Sequence, residues 1–170
     1  MVMHSLLILN ERGHLLMGRY FDEVLECGAL QHLGDVASDR EQCMQWWEDE
    51  VRQQTREMWQ FAHTANQVAR GADDVIIIYR RIGDLLVFAC GRDDCDELTL
   101  SDVVDCLGGV IATLCEDSSA KGARPTESWL MIGDTYAKVA LAVDEMMPGG
   151  ILEALDPDAV LSMTKMRPIA

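Results

Sequence analysis

The alternation of apolar and turn-forming residues predicts two β-hairpins. The segments Met3–Leu9 and His14–Tyr20 are largely apolar and are joined by a short run of turn formers that ends in Gly13. A second pair, Val75–Arg80 and Leu85–Cys90, is rich in β-branched, aromatic and aliphatic residues. Turns this short leave no room for a crossover, so both pairs are expected to be antiparallel.

The second hairpin shows no alternation of apolar and polar residues. A strand that is apolar on both sides needs both faces of its sheet covered. Antiparallel hairpins combined with burial on both faces therefore predict a sheet that lies between two layers of helices.

A long helix is predicted to begin at Ser38, because Ser38 and Glu41 fit a capping box. Its apolar stripe has helical spacing and consists of Met44, Trp47, Val51, Met58 and Ala62. Trp46 and Trp59 fall outside that stripe. They either widen the buried face or contact a partner.

Three further helices are predicted in the second half of the chain. The first is expected to be capped at Thr99, and Gly108-Gly109 inside it predicts close packing, since glycine is otherwise costly in a helix. The second is expected from Ile132 to Met147, with Tyr136, Val139 and Val143 facing the sheet. The third runs to about Lys165, with Asp156 as its N-cap and Pro157 in the first helical position.

Length and charge restrict the function classes. The chain has 170 residues, which is the size of one domain, and 14 Lys and Arg against 29 Asp and Glu give 14 − 29 = −15. That balance is unsuited to nucleic acid and to direct adhesion to an anionic membrane surface. No signal peptide and no uninterrupted apolar run of membrane-spanning length is evident, so the sequence predicts a soluble, acidic, intracellular domain.

The titratable residues do not form a recognisable reactive site. Six cysteines occur without any Cys-x-x-Cys spacing and are expected to be reduced and mostly buried. Asp93, Asp94 and Cys95 with Cys90 could be assembled into a metal site, but a solvated turn before a helix N-terminus explains the carboxylates more simply. We therefore expect no catalytic residue, no cofactor and no metal, and a chain that is not an enzyme.

Four segments resemble the longin-type small subunits of vesicle coat and adaptor complexes, which include the sigma chains of clathrin adaptors and coatomer zeta. The matching segments are Leu6–Asn10 with Gly13, Val75–Arg81, Asp96–Leu98, and Leu141–Met146 followed by Gly149-Gly150. The resemblance covers about residues 3–165. It implies a single longin domain over residues 1–170, with an α/β (α+β) fold and an antiparallel sheet of about five strands covered by helices on both faces. Variable loops are expected at about 22–37 and 116–128.

Within that family, the chain looks most like the small longin subunit of the TPLATE, or TSET, endocytic complex. The segments that carry this likeness are Ile82–Asp84, Gly91–Leu98, Arg124–Glu127 and Met166–Pro168. The early strand reads His14-Leu15-Leu16-Met17 and lacks the basic residue of cargo-binding sigma chains, so direct recognition of dileucine signals is not expected.

The resemblance implies a structural subunit of a heteromeric trafficking adaptor, clasped by a large helical-solenoid subunit and supporting clathrin-mediated endocytosis. Clathrin and membrane would be reached only through other subunits, at coated pits of the plasma membrane. Trp46, Trp59, Asp144 and Glu145 are the predicted partner-interface residues. The alternatives are a coatomer zeta-like chain at Golgi membranes, a clathrin-adaptor sigma chain, and a longin platform for a small GTPase.

Overall fold

A five-stranded antiparallel sheet forms the centre of the protein. The computed structural model describes residues 2–21, 40–92, 94–119 and 122–165. The strands are β1 Ser5–Asn10, β2 Leu15–Tyr20, β3 Gln67–Arg70, β4 Ile76–Ile82 and β5 Leu85–Gly91, in the spatial order β2-β1-β5-β4-β3. This α+β arrangement is consistent with the predicted longin fold. The third strand was not located from the sequence pattern, because four residues that alternate between half-buried and exposed give a weak signal.

The predicted burial of both sheet faces is confirmed. Every residue of β1 and of β5 is buried, and the two strands pair antiparallel. Leu6 and Ile8 point into one hydrophobic cluster, whereas Leu7 and Leu9 point into a second cluster on the opposite face. The central pair is therefore apolar in both directions, as the sequence of the second hairpin indicated.

Helices lie on each face. On one face, α1 (Arg40–Thr55) continues into a 3-10 helix over Arg56–Phe61. The other face is covered by α2 (Glu97–Ser118), α4 (Gly133–Met146) and α5 (Pro157–Lys165), with the short α3 (Glu127–Leu130) before α4. Two further 3-10 turns, Ala72–Asp74 and Pro148–Gly150, complete the described elements.

The long first helix ends earlier than its apolar pattern predicts. After Thr55, whose hydroxyl donates to the Val51 carbonyl at 2.6 Å, the chain tightens into the 3-10 helix. Three residues per turn place Met58 and Phe61 on one outer face, so Met58 is 42% exposed rather than part of the core. Trp47, Val51 and Ala62 are buried as predicted. Ser38 and the predicted loop at 22–37 lie outside the described residues.

The cap of α2 lies three residues before the predicted one. Asp96, not Thr99, is the N-cap, and its carboxylate accepts a hydrogen bond from the Thr99 backbone N–H at 2.8 Å. That hydrogen bond holds the pKa of the Asp96 carboxyl below its usual range. The helix extends to Ser118, which shortens the predicted polar loop from its start.

Helix α3 begins inside the segment expected to be a loop. Thr126 caps it by accepting from the Trp129 N–H at 3.2 Å, and both Trp129 and Leu130 are buried. Ile132, which was expected on the buried stripe of the next helix, precedes α4 and is 57% exposed.

The two glycines within α2 contact neighbouring elements closely, as predicted. A Cβ at Gly108 would lie 2.9 Å from Cδ1 of Ile82 on β4. A Cβ at Gly109 would lie 2.9 Å from Cγ of Pro157, the first residue of α5. Helix α5 has its predicted limits, with the Asp156 carboxylate accepting from the Ala159 N–H at 3.3 Å.

Helix α2 is long and apolar enough to cross a membrane by length and composition alone. Eight of its residues, including Val103, Leu107 and Ile111, are buried in the cluster that includes residues of β1, β4 and β5. This is the burial expected of the central helix of a globular domain.

Helix α4 presents its predicted face to the core, and this generates a stability test. Val139 is fully buried, Val143 is 1% exposed, and Tyr136 packs against the same cluster. Val139→Asp would bury an unpaired charge, so we expect the free energy of unfolding to fall by about 4 kcal/mol or more. Urea unfolding followed by circular dichroism measures it.

Val68→Asp is the matched control, because Val68 is 51% exposed on the edge strand β3. It should change the unfolding free energy by less than about 1 kcal/mol. Equal effects of the two substitutions would show that the assigned face of α4 is wrong.

Candidate partner interface

The four residues predicted to contact a partner lie on opposite sides of the sheet. Trp46 is on α1 and Trp59 is on the 3-10 helix, both over the same face. Asp144 and Glu145 are on α4, which lies over the other face. The structure therefore does not bring the four together into one surface.

Trp59 is part of the interior of the chain. It is 6% exposed, its indole N–H donates to the Thr55 hydroxyl at 2.8 Å, and the Arg56 guanidinium lies 5.3 Å from the ring centroid. A Cβ at Gly13 would lie 3.0 Å from the indole ring, so this tryptophan packs against the turn between β1 and β2. Trp46 is partly buried against the same cluster.

The two acidic residues of α4 point in different directions, as adjacent helical positions must. The Asp144 side chain is 57% exposed and lies 3.7 Å from the Arg19 guanidinium, which links α4 to β2. Glu145 is 6% exposed. Of the four predicted interface residues, Asp144 offers the most accessible polar group.

The predicted carboxylate cluster before α2 is solvated, and its neighbouring thiols face inward. Asp94, Asp96 and Glu97 are exposed, whereas Cys95 is buried and donates to the Val2 carbonyl at 3.2 Å. Burial raises the pKa of the Cys90 thiol to about 12. Within the part of the chain that the structure describes, no group of three or more His, Cys, Asp or Glu side chains could hold a metal ion, and Asp93 lies outside that part.

Five of the six cysteines fall within the described residues, and all five are free and buried. Their burial agrees with the prediction. Burial also raises the pKa of the Cys106 thiol to about 11, with the nearby Asp156 charge adding to the effect.

Polar contacts fasten α1 to the sheet. The Tyr20 hydroxyl on β2 donates to the Glu48 carboxylate at 2.9 Å, and burial together with that charge raises the pKa of Tyr20. The Trp47 indole N–H donates to the Ser5 hydroxyl at 3.0 Å. The Arg52 side chain donates to the Gly13 carbonyl at 2.6 Å. These contacts fix the layer that carries both Trp46 and the 3-10 helix.

His4 is buried between this layer and the sheet. Its ring centroid is 4.5 Å from that of Trp47, and its Nδ1 is 2.9 Å from the Ser5 hydroxyl. Burial, with a smaller contribution from the Arg92 charge, lowers the pKa of His4 from 6.5 to about 4. His4 is therefore neutral at neutral pH in the folded protein.

A surface that the sequence pattern did not indicate lies at the ends of the hairpins. Met58 and Phe61, which are 42% and 54% exposed, form its apolar part. Beside them is a crevice of about 470 Å³ lined by Gln60, His63, Arg81, Gly83 and Arg124. We call these seven residues the hairpin-end surface. The spacing of Met58 and Phe61 would have indicated it only if the 3-10 helix had been recognised.

Comparisons with known proteins agree with the fold described above. No protein-family model matches the sequence. A chain in a homology model of the full-length AP-3 complex, in a stretched open conformation, superposes with a TM-score of 0.55 at 14% identity, over 97% of this chain and 92% of that chain. That likeness identifies the class of fold: a longin domain of the kind found in adaptor complexes.

A relative found by sequence makes the comparison more specific. The TSET complex member tstD of Dictyostelium discoideum is 24% identical over 166 residues, which are 98% of this chain and 94% of the relative. The alignment therefore covers nearly all of both sequences. It confirms the resemblance to adaptor small subunits of the TSET type.

The buried His4 predicts a dependence of stability on pH. Well above pH 6.5 His4 is neutral in both states, and as the pH falls through 6.5 towards 4 the unfolded chain takes up the proton first. The free energy of unfolding should therefore fall by about 2 kcal/mol more between pH 7.5 and 5 in the wild type than in His4→Gln. Urea titrations at the two pH values measure it.

His14→Gln is the control, because His14 is exposed in the turn before β2. It should keep the pH dependence of the wild type. The account of His4 fails if His4→Gln and the wild type lose the same stability over this range.

Proposed function

We propose that the chain is a non-enzymatic small subunit of a heteromeric vesicle-trafficking adaptor complex of the TSET type. The observation that carries the proposal is the alignment with the TSET complex member tstD, which covers 98% of this chain and 94% of that protein. The fold supports it, since a sheet whose central strands are buried on both faces offers a partner a rigid body rather than a reactive cleft.

In this role the domain is bound by a large helical-solenoid subunit that contacts it on two sides. Helix layers on both faces of the sheet give it two outer surfaces, which a curved solenoid can grip at the same time. The excess of 29 acidic over 14 basic residues favours a basic partner surface over much of the contact. Of the four residues proposed as partner contacts, Asp144 has the most exposed polar group and Trp46 is partly buried, whereas Trp59 and Glu145 are each only 6% exposed.

A non-enzymatic role agrees with where the reactive groups lie. His4 and Cys90 are buried inside the chain, where no substrate reaches them. Burial is the largest cause of both shifted pKa values, and the Arg92 charge makes a smaller contribution at His4.

The proposed role also has a place in the cell. The complex supports clathrin-mediated endocytosis and is recruited from the cytoplasm to coated pits of the plasma membrane. This chain reaches clathrin and membrane only through other subunits. Its net charge of −15 supports that restriction, because anionic lipid surfaces repel it.

Affinity purification of the tagged full chain from its native cells, followed by mass spectrometry, tests the proposal. We expect a fixed set of partners in constant proportion, including a large solenoid subunit and clathrin. The same purification with a tagged unrelated protein of similar acidity is the control for charge-driven capture.

Two results would contradict the proposal. Recovery of the chain alone at gentle salt would exclude an obligate subunit. Recovery of coatomer chains would assign the protein to Golgi transport instead of endocytosis.

A further inference from the structure

We propose that the open edge of β3 binds an extended segment of a partner subunit, which adds a sixth strand to the sheet and carries apolar and basic side chains. The source of the segment rests on the proposed function, and the inference goes beyond that function by assigning a contact and a binding mode. Backbone groups of β3 and two exposed side chains of α2 carry it.

Every second residue of β3 directs its backbone N–H and C=O away from the sheet. The strand lies at the edge and pairs with β4 alone. Directly after it, the Gly71 N–H donates to the Val75 carbonyl at 2.9 Å. Because this direction alternates along an antiparallel strand, Ala69 also bonds to β4, whereas Val68 and Arg70 point outward. Within the described residues, neither Val68 nor Arg70 uses its backbone in a hydrogen bond to another segment.

An open edge of this kind selects an extended polypeptide. The N–H and C=O groups of a strand match it directly, whereas a helix has already used its own backbone groups. A second copy of this chain is disfavoured, because each copy carries a net charge of −15. With four residues, β3 is too short to hold an arbitrary strand. Side chains beside the edge must therefore contribute to binding.

Helix α2 runs alongside β3 and supplies these side chains. The Arg70 guanidinium lies 4.0 Å from the Glu97 carboxylate, and the Asn66 amide donates to the Asp105 carboxylate at 3.0 Å. Val68 lies between these two contacts and is 51% exposed. It is on the α2 side of the sheet, because its directly opposite neighbour on β4 belongs to the cluster that α2 covers.

Two neighbouring side chains of α2 are exposed at this edge. Leu98 is 72% exposed, and Asp102, one helical turn further along the same side, is also exposed. Glu97 and Asp105 pair with arginines, whereas Asp102 has no ion-pair partner among the described residues. On the α2 side of an added strand, an apolar side chain would cover Val68 and Leu98. A lysine or arginine two residues along would pair with Asp102.

Hydrogen exchange of single backbone amides tests the binding mode. We expect the Val68 and Arg70 amides to exchange about tenfold or more slowly in the purified complex than in the purified full chain, because hydrogen-bonded amides are protected. Ala69 is the internal control, since its amide bonds to β4 in both samples. Unchanged exchange of Val68 and Arg70 would overturn the inference. Equal protection of both amides in the chain alone would also overturn it, because the edge would then be covered by the chain itself.

Site-specific cross-linking identifies the occupant. The photoreactive residue p-benzoylphenylalanine replaces Leu98 in the tagged full chain, which is irradiated in native cells. We expect the joined peptide to come from a subunit that co-purifies with the wild-type chain, in a segment with more Lys and Arg than Asp and Glu. The same photoreactive residue at Ile132, which is 57% exposed before α4, is the matched control and should not join to that segment.

Two substitutions separate the backbone contact from the charge contact. Val68→Pro removes an outward N–H and no bond to β4, so it should lower the cross-linking yield at Leu98 about fivefold or more, whereas Val68→Thr should stay within about twofold. Asp102→Lys should also lower the yield about fivefold, unlike Glu116→Lys, which lies about 21 Å further along the same helix. Circular dichroism and thermal melting check that each variant is folded.

The outcomes distinguish this inference from the proposed function. If the wild-type chain recovers no partner, both fail. If partners are recovered but Leu98 joins to none of them, or joins equally well in folded Val68→Pro, only the strand addition is wrong. Joining to an acidic segment would overturn the assigned chemistry, and joining to a second copy of this chain would overturn the assigned source.

Discussion

The structure depends on the need to cover two strands that are apolar on both sides. Every residue of β1 and β5 is buried, and these strands lie side by side near the middle of the sheet. Neither face of such a pair can meet water, so a layer of helices is required on each. The layers differ in construction. Among the described residues, one layer is a single helix continued by a 3-10 helix, and the other is built from α2, α4 and α5. The two outer surfaces of these layers are what a partner subunit can contact.

Much of this arrangement could be predicted because its signals are local or periodic. The apolar run of the second hairpin indicated burial on both faces, and the spacing of Val139 and Val143 indicated the inner face of α4. The sequence pattern failed where a contact between distant segments decides the conformation. Helix α3, for example, is buried through Trp129 and Leu130 inside a polar stretch. The cap of α2 was misplaced for a local reason, because both Asp96 and Thr99 fit a cap and the Asp96 carboxylate takes that role. The edge strand β3 was missed because its pairing with β4, not its own composition, makes it a strand.

The candidate interface was less predictable than the fold. Tryptophans outside an apolar stripe suggested a partner, yet Trp59 is enclosed by the turn at Gly13 and by Phe88. Which side of a 3-10 helix faces water depends on where the α-helix ends. That point is set by a local switch after Thr55 that the 3.6-residue period does not report. The hairpin-end surface is assembled by three chain segments that are distant in sequence, so no single stretch of residues indicates it.

The central claim is that this acidic longin domain exists as a subunit and not as an independent protein. Measuring the native mass of the endogenous chain in a gentle cell extract, by gel filtration with light scattering and antibody detection, tests that claim most directly. The account predicts that nearly all of the chain elutes in a particle many times heavier than its own 18.9 kDa. Elution of most of the chain at its monomer mass would contradict it.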